Sequence, residues 1–306
     1  MLEYGQPTRP HHQPNSVFIS PSPSRNIRCM DLININAVRL EVNHIAADPT
    51  SAGLAPLVFL HEGLGSVALW RDWPTQACAA TGRVGCVYSR GGYGQSDPVA
   101  DVRGPARLEA GRRVGRLLPD YLHVEAWAVL PKLFQALQIE KPILIGHSDG
   151  GSIALLYASC FPVSGVVVLA PHVIVEDVSI ASIRQAKTAF ETGDLRARLL
   201  PYHADVDGAF WQWNDVWLSD GFRNFDIREA CRTITAPVMA IQGMDDPYGT
   251  MFQIDEISRM IDARASQSCD EKRVLLQKFD NCGHSPHRDQ PERTTQVIAD
   301  FLRNLP

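Results

Sequence analysis

The feature that most constrains the fold is a serine set between a buried strand and a helix. The turn is carried by the pentapeptide Gly146-His147-Ser148-Asp149-Gly150, which matches the pattern G-x-S-x-G. Small residues in this pattern let the backbone turn sharply enough to hold the serine Oγ above the strand end. The apolar run 142–145 predicts the strand, and the mostly apolar stretch 152–158 predicts the helix. Ser148 is therefore the candidate nucleophile.

Ser148 requires a general base, because a serine hydroxyl is a weak nucleophile at neutral pH. The stretch 273–279 predicts a strand near the C-terminus, and two histidines follow it, His284 and His287. His284 comes first and directly follows a glycine, on a loop just past the strand. We therefore favour His284 as the base and keep His287 as its rival.

The base in turn requires a carboxylate that accepts the proton on its Nδ1 and fixes its tautomer. A buried strand predicted over 237–243 runs into two adjacent acids, Asp245 and Asp246. Asp280, which is closer in sequence to the histidines, is expected to be an exposed turn residue. Position relative to the strand leaves Asp245 and Asp246 as alternatives.

The order Ser, Asp, His along the chain resembles that of the α/β-hydrolases. The resemblance extends from about Met30 to the C-terminus. It implies an α/β fold with a mostly parallel eight-stranded sheet, helices on both faces and a helical cap inserted after strand 6. In that family the acid commonly lies three residues after the glycine that closes the seventh strand, which selects Asp246. The implied catalytic triad is Ser148, Asp246 and His284.

The same resemblance implies an oxyanion hole, a set of N–H donors for the charge that develops on a carbonyl oxygen under attack. The first donor is the backbone N–H of Asp149, the residue after the nucleophile. The segment 61–65 is similar to the family's H-G-x-x-G loop and implies Gly63 or Leu64 as the second donor. Glu62 stands where the family usually has glycine. We expect Glu62 to brace this loop or to contact substrate.

The stretch from 173 to 235 is mainly polar and helix-like, and it follows a strand predicted over 165–169. In the superfamily an insertion at this point is a cap over the active site. Helical spacing places Trp213 and Trp217 on one face of it. Five side chains are expected to line the substrate pocket: Glu62, His147, His172, Trp213 and Trp217.

Composition agrees with one enzyme domain. The 306 residues are 45% hydrophobic, enough for a large core. Strands alternate with helical patterns, which predicts a mostly parallel sheet covered on both sides. These patterns lie at 69–81, 121–138, 251–263 and 291–304. The predicted organisation is a disordered N-terminal extension over 1–29, a core over 30–172 and 236–306, and a helical cap over 173–235.

Several classes of partner are disfavoured. A net charge of −5 gives neither a basic stripe for nucleic acid nor a polybasic membrane patch. No apolar run reaches the roughly 18 residues of a membrane span. The seven cysteines are scattered and form no C-x-x-C, which favours free thiols in a reducing compartment over disulfides or a metal site. We therefore expect a cytoplasmic protein without a metal, acting as a monomer or a homodimer.

The sequence predicts a serine hydrolase that cleaves a carboxylic ester or related acyl bond of a small apolar or aromatic substrate, without a cofactor. An acyl-Ser148 intermediate is expected. A hydrolase of C–C bonds in ring-fission diketones, a lactonase or an amidase on the same triad stays an alternative, since fold and triad do not determine the substrate. A non-catalytic ligand receptor of the same fold is the alternative from another class. Dehalogenases and epoxide hydrolases are disfavoured because their nucleophile is an aspartate.

Overall fold

The computed structural model describes residues 30–46, 53–265 and 273–306. The disorder expected for residues 1–29 lies outside the described residues. The strands are β1 (Met30–Ile35), β2 (Val38–Ile45), β3 (Leu57–Leu60), β4 (Gly85–Tyr88), β5 (Arg107–Glu109), β6 (Arg112–Val114), β7 (Ile143–His147), β8 (Gly165–Leu169), β9 (Val238–Gly243) and β10 (Val274–Phe279). The helices are α1 (Trp73–Thr81), α2 (Tyr121–Val124), α3 (Leu130–Leu137), α4 (Asp149–Cys160), α5 (Asp177–Thr192), α6 (Leu195–Leu199), α7 (Val206–Trp217), α8 (Arg228–Cys231), α9 (Phe252–Ala265), α10 (Pro286–Asp289) and α11 (Pro291–Leu302).

Eight strands form one sheet in the order β1-β2-β4-β3-β7-β8-β9-β10. The strands from β4 to β10 in this order run parallel, whereas β2 is antiparallel to both β1 and β4. Every residue of β3, β7 and β8 is buried. Such continuous apolar strands are typical of a parallel sheet covered on both faces. The predicted mostly parallel eight-stranded α/β fold is confirmed.

Side chains from successive strand residues enter two separate cores, because they point to opposite faces of the sheet. Val58 belongs to the larger core, which also contains residues of α3, α4, α7 and α9. Phe59 belongs to the smaller core, which contains residues of α1 and α11. The carboxyl ends of the parallel strands lie between these layers, and loops that follow them meet at that edge.

The chain between β8 and β9 folds into helices α5 to α8, with single 3₁₀ turns at Leu200–Tyr202 and Phe222–Asn224. We call the segment 173–235 the cap. Because β5 and β6 pair only with each other, β8 is the sixth strand of the large sheet. Several cap side chains, among them Trp213 and Trp217, are part of the larger core.

Two elements were not predicted from the sequence. One is the β5–β6 hairpin, whose two loop residues, Ala110 and Gly111, have φ values of 50° and 79°. Positive φ at both loop positions suits the tight hairpin turn, but Ala-Gly is a weaker signal for it than Asn-Gly. The other is a π-helical turn at Glu125–Val129, which interrupts the helix predicted over 121–138. Pro131 lacks an N–H for an α-helical bond at this point, which favours the interruption.

Candidate active site

Ser148 lies at the end of β7 and directly precedes α4, with φ 53° and ψ −118°. This conformation is strained for a residue with a side chain and is typical of functional sites. Two glycines make the turn possible. A Cβ at Gly146 would come within 2.2 Å of the carbonyl oxygen of Gly150, and a Cβ at Gly150 would come within 2.0 Å of that of Leu60. The small residues of the motif are thus required by close backbone packing.

His284 and Asp246 form a hydrogen-bonded pair. His284 Nδ1 lies 2.9 Å from both carboxylate oxygens of Asp246. The carboxylate also accepts hydrogen bonds from the backbone N–H of Tyr248 at 2.8 Å and from Gln242 Nε2 at 3.1 Å. Burial opposes ionisation of Asp246, but the His284 and Tyr248 contacts outweigh it and lower the pKa of the carboxyl. The neighbouring Asp245 is exposed.

His147 connects the loop of His284 to Glu62. Its Nε2 donates to the carbonyl oxygen of His284 at 2.8 Å, and its Nδ1 lies 3.4 Å from Glu62 Oε2. The other carboxylate oxygen of Glu62 accepts from Arg288 Nη2 at 2.9 Å. Burial opposes ionisation of Glu62, yet His147 and Arg288 hold its pKa well below the usual value. Both residues, predicted for the pocket, therefore contact the segment that carries His284.

The predicted oxyanion donors lie on two elements. Asp149 is the first residue of α4, where backbone N–H groups have no acceptor within the helix. Gly63 and Leu64 lie on the loop after β3, which we call the oxyanion loop after its predicted role. The cap holds this loop through His203, whose Nε2 donates to the carbonyl oxygen of Leu64 at 3.1 Å. His203 Nδ1 accepts the backbone N–H of Gly94 at 3.0 Å, so both ring nitrogens have a partner.

The turn 146–150, which carries Ser148, is called the elbow below. The side chain of Asp149 is buried beneath the elbow and joins it to the cap. It accepts hydrogen bonds from the Tyr121 hydroxyl at 2.7 Å and from Trp217 Nε1 at 3.2 Å. Arg90 Nη1 lies 3.4 Å away, and its side chain is only 4% exposed. A buried carboxylate needs such donors to stay charged. The indole N–H of Trp217, predicted as a pocket residue, is shared between Asp149 and the Tyr121 hydroxyl, which lies closer at 2.9 Å.

Trp213 and His172 border the site from the cap side. The Trp213 ring lies against the oxyanion loop, since a Cβ at Gly63 would come within 2.1 Å of Trp213 Nε1. The His172 ring is centred 5.8 Å from that of His284 and 5.0 Å from that of Trp217. Burial is the main cause that lowers the pKa of His172 to about 3, so the ring is neutral at neutral pH.

The rival base His287 is buried in an aromatic cluster. Its ring is centred 4.8 Å from Trp70, 5.3 Å from Trp73 and 4.8 Å from His147. Neither ring nitrogen has a hydrogen-bond partner among the described residues. Burial lowers the pKa of His287 well below its usual value.

The residues near the site that were not identified from the sequence include Tyr121, His203, Gln242, Tyr248 and Arg288. The Tyr248 ring is tilted by 42° against the His284 ring, with ring centres 4.7 Å apart. Tyr248 follows Asp246 so closely in sequence that the acid assignment could have drawn attention to it. Tyr121 and His203 reach the site from a helix and from the cap. No local sequence signal connects either of them to Ser148.

Within the described ranges, no group of three or more His, Cys, Asp or Glu side chains is arranged to hold a metal ion. A search of the helices in the same ranges finds none with the length and apolar character needed to cross a membrane.

A sequence profile of the family described as the alpha/beta hydrolase family matches residues 57–297. No curated protein matches the chain. The chain is similar to a thermophilic esterase from Thermogutta terrifontis (TM-score 0.63, 16% identity, 90% of this chain and 98% of the other covered). It is also similar to a proline iminopeptidase from Mycobacterium smegmatis (TM-score 0.62, 18% identity, 89% and 97% covered). A third similar structure is an N-acyl homoserine lactone degrading enzyme (TM-score 0.60, 16% identity, 88% and 99% covered). At these identities the structures share the fold with this chain.

Proposed function

Since the chain belongs to the α/β hydrolase family, we propose that it is a serine hydrolase that cleaves a carboxylic ester or related acyl bond of a small apolar or aromatic substrate. The observation that carries the proposal is the hydrogen-bonded pair of His284 and Asp246 beside a strained serine elbow. A histidine oriented by a buried carboxylate is the arrangement that turns a nearby serine hydroxyl into a nucleophile.

In the first half of the reaction, Ser148 Oγ attacks the substrate carbonyl carbon while His284 Nε2 takes the hydroxyl proton. The Nδ1–H of His284 stays hydrogen-bonded to Asp246, which stabilises the imidazolium that forms. The carbonyl oxygen becomes an oxyanion. The N–H of Asp149 and that of Gly63 or Leu64 stabilise it, aided by the positive end of the α4 dipole. The intermediate collapses when His284 gives its proton to the leaving alcohol, which departs and leaves acyl-Ser148.

In the second half, water replaces the alcohol. His284 takes a proton from water as the oxygen attacks the acyl carbon, and the same N–H donors stabilise the second oxyanion. Collapse breaks the bond to Ser148, and His284 returns the proton to Oγ. The products are a carboxylic acid and the regenerated enzyme. No step requires a cofactor.

The residues around the elbow favour an apolar or aromatic substrate. The Trp213 ring packs against the oxyanion loop, and the Tyr248 ring contacts that of His284. Aromatic side chains beside a few polar groups are typical of sites for small organic ligands. The similarity to an esterase in fold fits this proposal. We extend the proposal to a cytoplasmic location, because the described cysteines are free thiols: Cys78, Cys86, Cys160, Cys231 and Cys282.

Covalent labelling tests the proposal directly. A fluorophosphonate, which reacts with activated serines, is expected to label the wild-type protein once, at Ser148. Ser148→Ala is expected to abolish both labelling and hydrolysis of p-nitrophenyl esters. Ser159→Ala changes a serine of the same helix and is expected to leave both unchanged.

A substrate panel distinguishes the alternatives. It contains p-nitrophenyl esters of increasing acyl length, a homoserine lactone, an anilide and a ring-fission diketone. Ester hydrolysis that exceeds turnover of the other three supports the proposal. Preferred turnover of the diketone or lactone with Ser148 labelling would replace the substrate class and keep the mechanism. Absence of labelling and turnover would favour the receptor, and wild-type turnover by Ser148→Ala would refute the nucleophile.

A further inference from the structure

A cavity of about 580 Å³ lies beside the candidate active site and is not part of it. It is enclosed by the β1–β2 hairpin, the β5–β6 hairpin and the helical segment 121–129. Of the described residues that line it, none is Ser148, Asp246 or His284. Arg90 and Tyr121 line it on one side and contact the Asp149 carboxylate on the other, so they form the wall between the cavity and the elbow.

The cavity has an apolar body and an apolar mouth. Leu40 and Val129 are among its inner lining residues. Leu108, Leu118 and Val124 also line it, although their side chains are 75%, 51% and 46% exposed. Large apolar side chains exposed together around a concave surface indicate a ligand or partner site. The volume is within the range of pockets for small organic molecules.

One side of the cavity carries a cation without a counter-ion. Arg113 lines the cavity and uses its guanidinium to donate to the carbonyl oxygen of Gly115 at 3.3 Å and to Gln212 Oε1 at 3.2 Å. Among the described residues, no carboxylate lies within ion-pair distance of it. Three other arginines line the cavity: Arg90 and Arg107 pair with carboxylates, whereas the exposed Arg116 donates to the backbone carbonyl oxygens of Gly104 and Arg103. The positive charge of a guanidinium that is partly buried and has only neutral acceptors is not compensated, and a bound anion would compensate it.

Two carboxyl groups line the same cavity: the exposed Asp120, and Glu125, which lies in the π-helical turn. Glu125 accepts a hydrogen bond from the Tyr88 hydroxyl at 2.7 Å and is not within ion-pair distance of Arg113. Burial raises the pKa of Glu125. The hydrogen-bond acceptors of the Arg113 guanidinium are both neutral, so an anionic group beside it is favoured.

We propose that this cavity is a second binding site, separate from the catalytic serine, for a small amphipathic carboxylate such as an arylalkanoate. The carboxylate accepts hydrogen bonds from the Arg113 guanidinium, which matches its planar geometry. The apolar body of the ligand packs against Leu40, Leu117 and Val129 and displaces water from the cavity. No covalent step is involved, and the site does not depend on the proposed hydrolase activity.

Calorimetric titration with 4-phenylbutanoate tests carboxylate recognition. The full wild-type chain is expected to bind one equivalent, and Arg113→Leu is expected to bind at least tenfold more weakly. Arg112→Leu removes the neighbouring arginine of the same strand, which donates to the carbonyl oxygen of Pro98, and is expected to bind within about twofold of wild type. The neutral 4-phenylbutanamide is expected to bind at least tenfold more weakly to wild type. Equal binding of acid and amide, or unchanged binding by Arg113→Leu, would overturn the proposal.

A second variant and a direct location guard against misfolding and against binding at the triad. Ala106→Trp changes an exposed lining residue and is expected to weaken binding while thermal stability stays within about 2 °C. Crystals soaked in 4-(4-bromophenyl)butanoate are expected to show an anomalous bromine peak between Leu117 and Val129. A bromine peak found only beside Ser148, a peak found only at the protein surface between neighbouring molecules, or the absence of any peak would refute the second site. None of these measurements depends on turnover, so failure of the hydrolase proposal would leave them interpretable.

Discussion

The imidazole of His147 supports the backbone of His284: its Nε2 donates to the carbonyl oxygen of His284 at 2.8 Å. The side chain that precedes the candidate nucleophile thus holds the loop that carries the candidate base. Glu62 and Arg288 extend this contact to the oxyanion loop. The three candidate components of the site, elbow, base and oxyanion loop, are therefore connected by these polar contacts as well as by the sheet.

Loss of this contact is expected to slow turnover without weakening substrate binding. His147→Ala should lower kcat about fivefold with KM nearly unchanged, because one hydrogen bond that orients the base is worth about 1 kcal/mol. His147→Gln retains an N–H donor and should recover part of the loss. Steady-state kinetics measure both. The exposed His44→Ala serves as the control, and a change in KM alone would contradict a positioning role.

The adjacent acids provide a sharper test of the triad. Asp246→Asn is expected to reduce kcat on the order of 10³-fold or more, because the amide cannot stabilise the His284 imidazolium or maintain its tautomer. Asp245→Asn replaces an exposed carboxylate and should stay within about twofold of wild type. Single-turnover ester hydrolysis measures the chemical step of each variant. If Asp245→Asn proved the inactive variant, the acid assignment would be off by one residue.

The two cap tryptophans are expected to differ in their roles. Trp213→Ala should lower kcat/KM about tenfold more for a bulky aryl ester than for an acetate, because the ring lies against the oxyanion loop at Gly63. Trp217→Phe should affect both substrates equally and lower thermal stability, because it leaves the buried Asp149 carboxylate with one donor fewer. Steady-state kinetics on both esters and thermal melts of both variants measure these differences. Equal effects of Trp213→Ala on both substrates would refute its role in specificity.

His172 makes stability depend on pH. Its pKa is lowered to about 3 in the folded protein, whereas a histidine in an unfolded chain has a pKa of about 6.5. Between these values only the unfolded chain binds the proton, so the free energy of unfolding falls as the pH falls. The contribution of this group is about 2 kcal/mol between pH 6.5 and 5. His172→Gln is expected to lose that part of the pH dependence.

Urea unfolding at pH 5 and at pH 7 measures this difference. His44→Gln, which changes an exposed histidine, is the matched control substitution. Histidines that do not interact with His172 contribute equally to wild type and variant and cancel in the comparison. Identical pH dependence in His172→Gln and wild type would show that His172 takes up its proton in the folded protein.

The sequence by itself determined the elbow and the sheet that carries it. Gly146 and Gly150 are needed where backbone atoms approach within van der Waals distance, and Ser148 between them takes a strained conformation. These are local steric requirements, so near neighbours in sequence encode them. The apolar runs of the central strands predict burial on both faces for the same reason. Ser148, Asp246 and His284 appear along the chain in the order of the strands that precede them, β7, β9 and β10.

Only the tertiary structure decided which polar groups meet. The residues alone left Asp245 and Asp246 as alternatives, and the choice depends on which carboxylate the turn after β9 directs toward His284. Cap residues such as His203 and Trp217 reach the oxyanion loop and Asp149 from distant segments. The contact of Arg113 with Gln212 spans 99 positions. Hydrogen bonds of this kind depend on which remote segments the sheet and cap bring within 3 Å or so of each other, and no short-range pattern in the sequence carries that information.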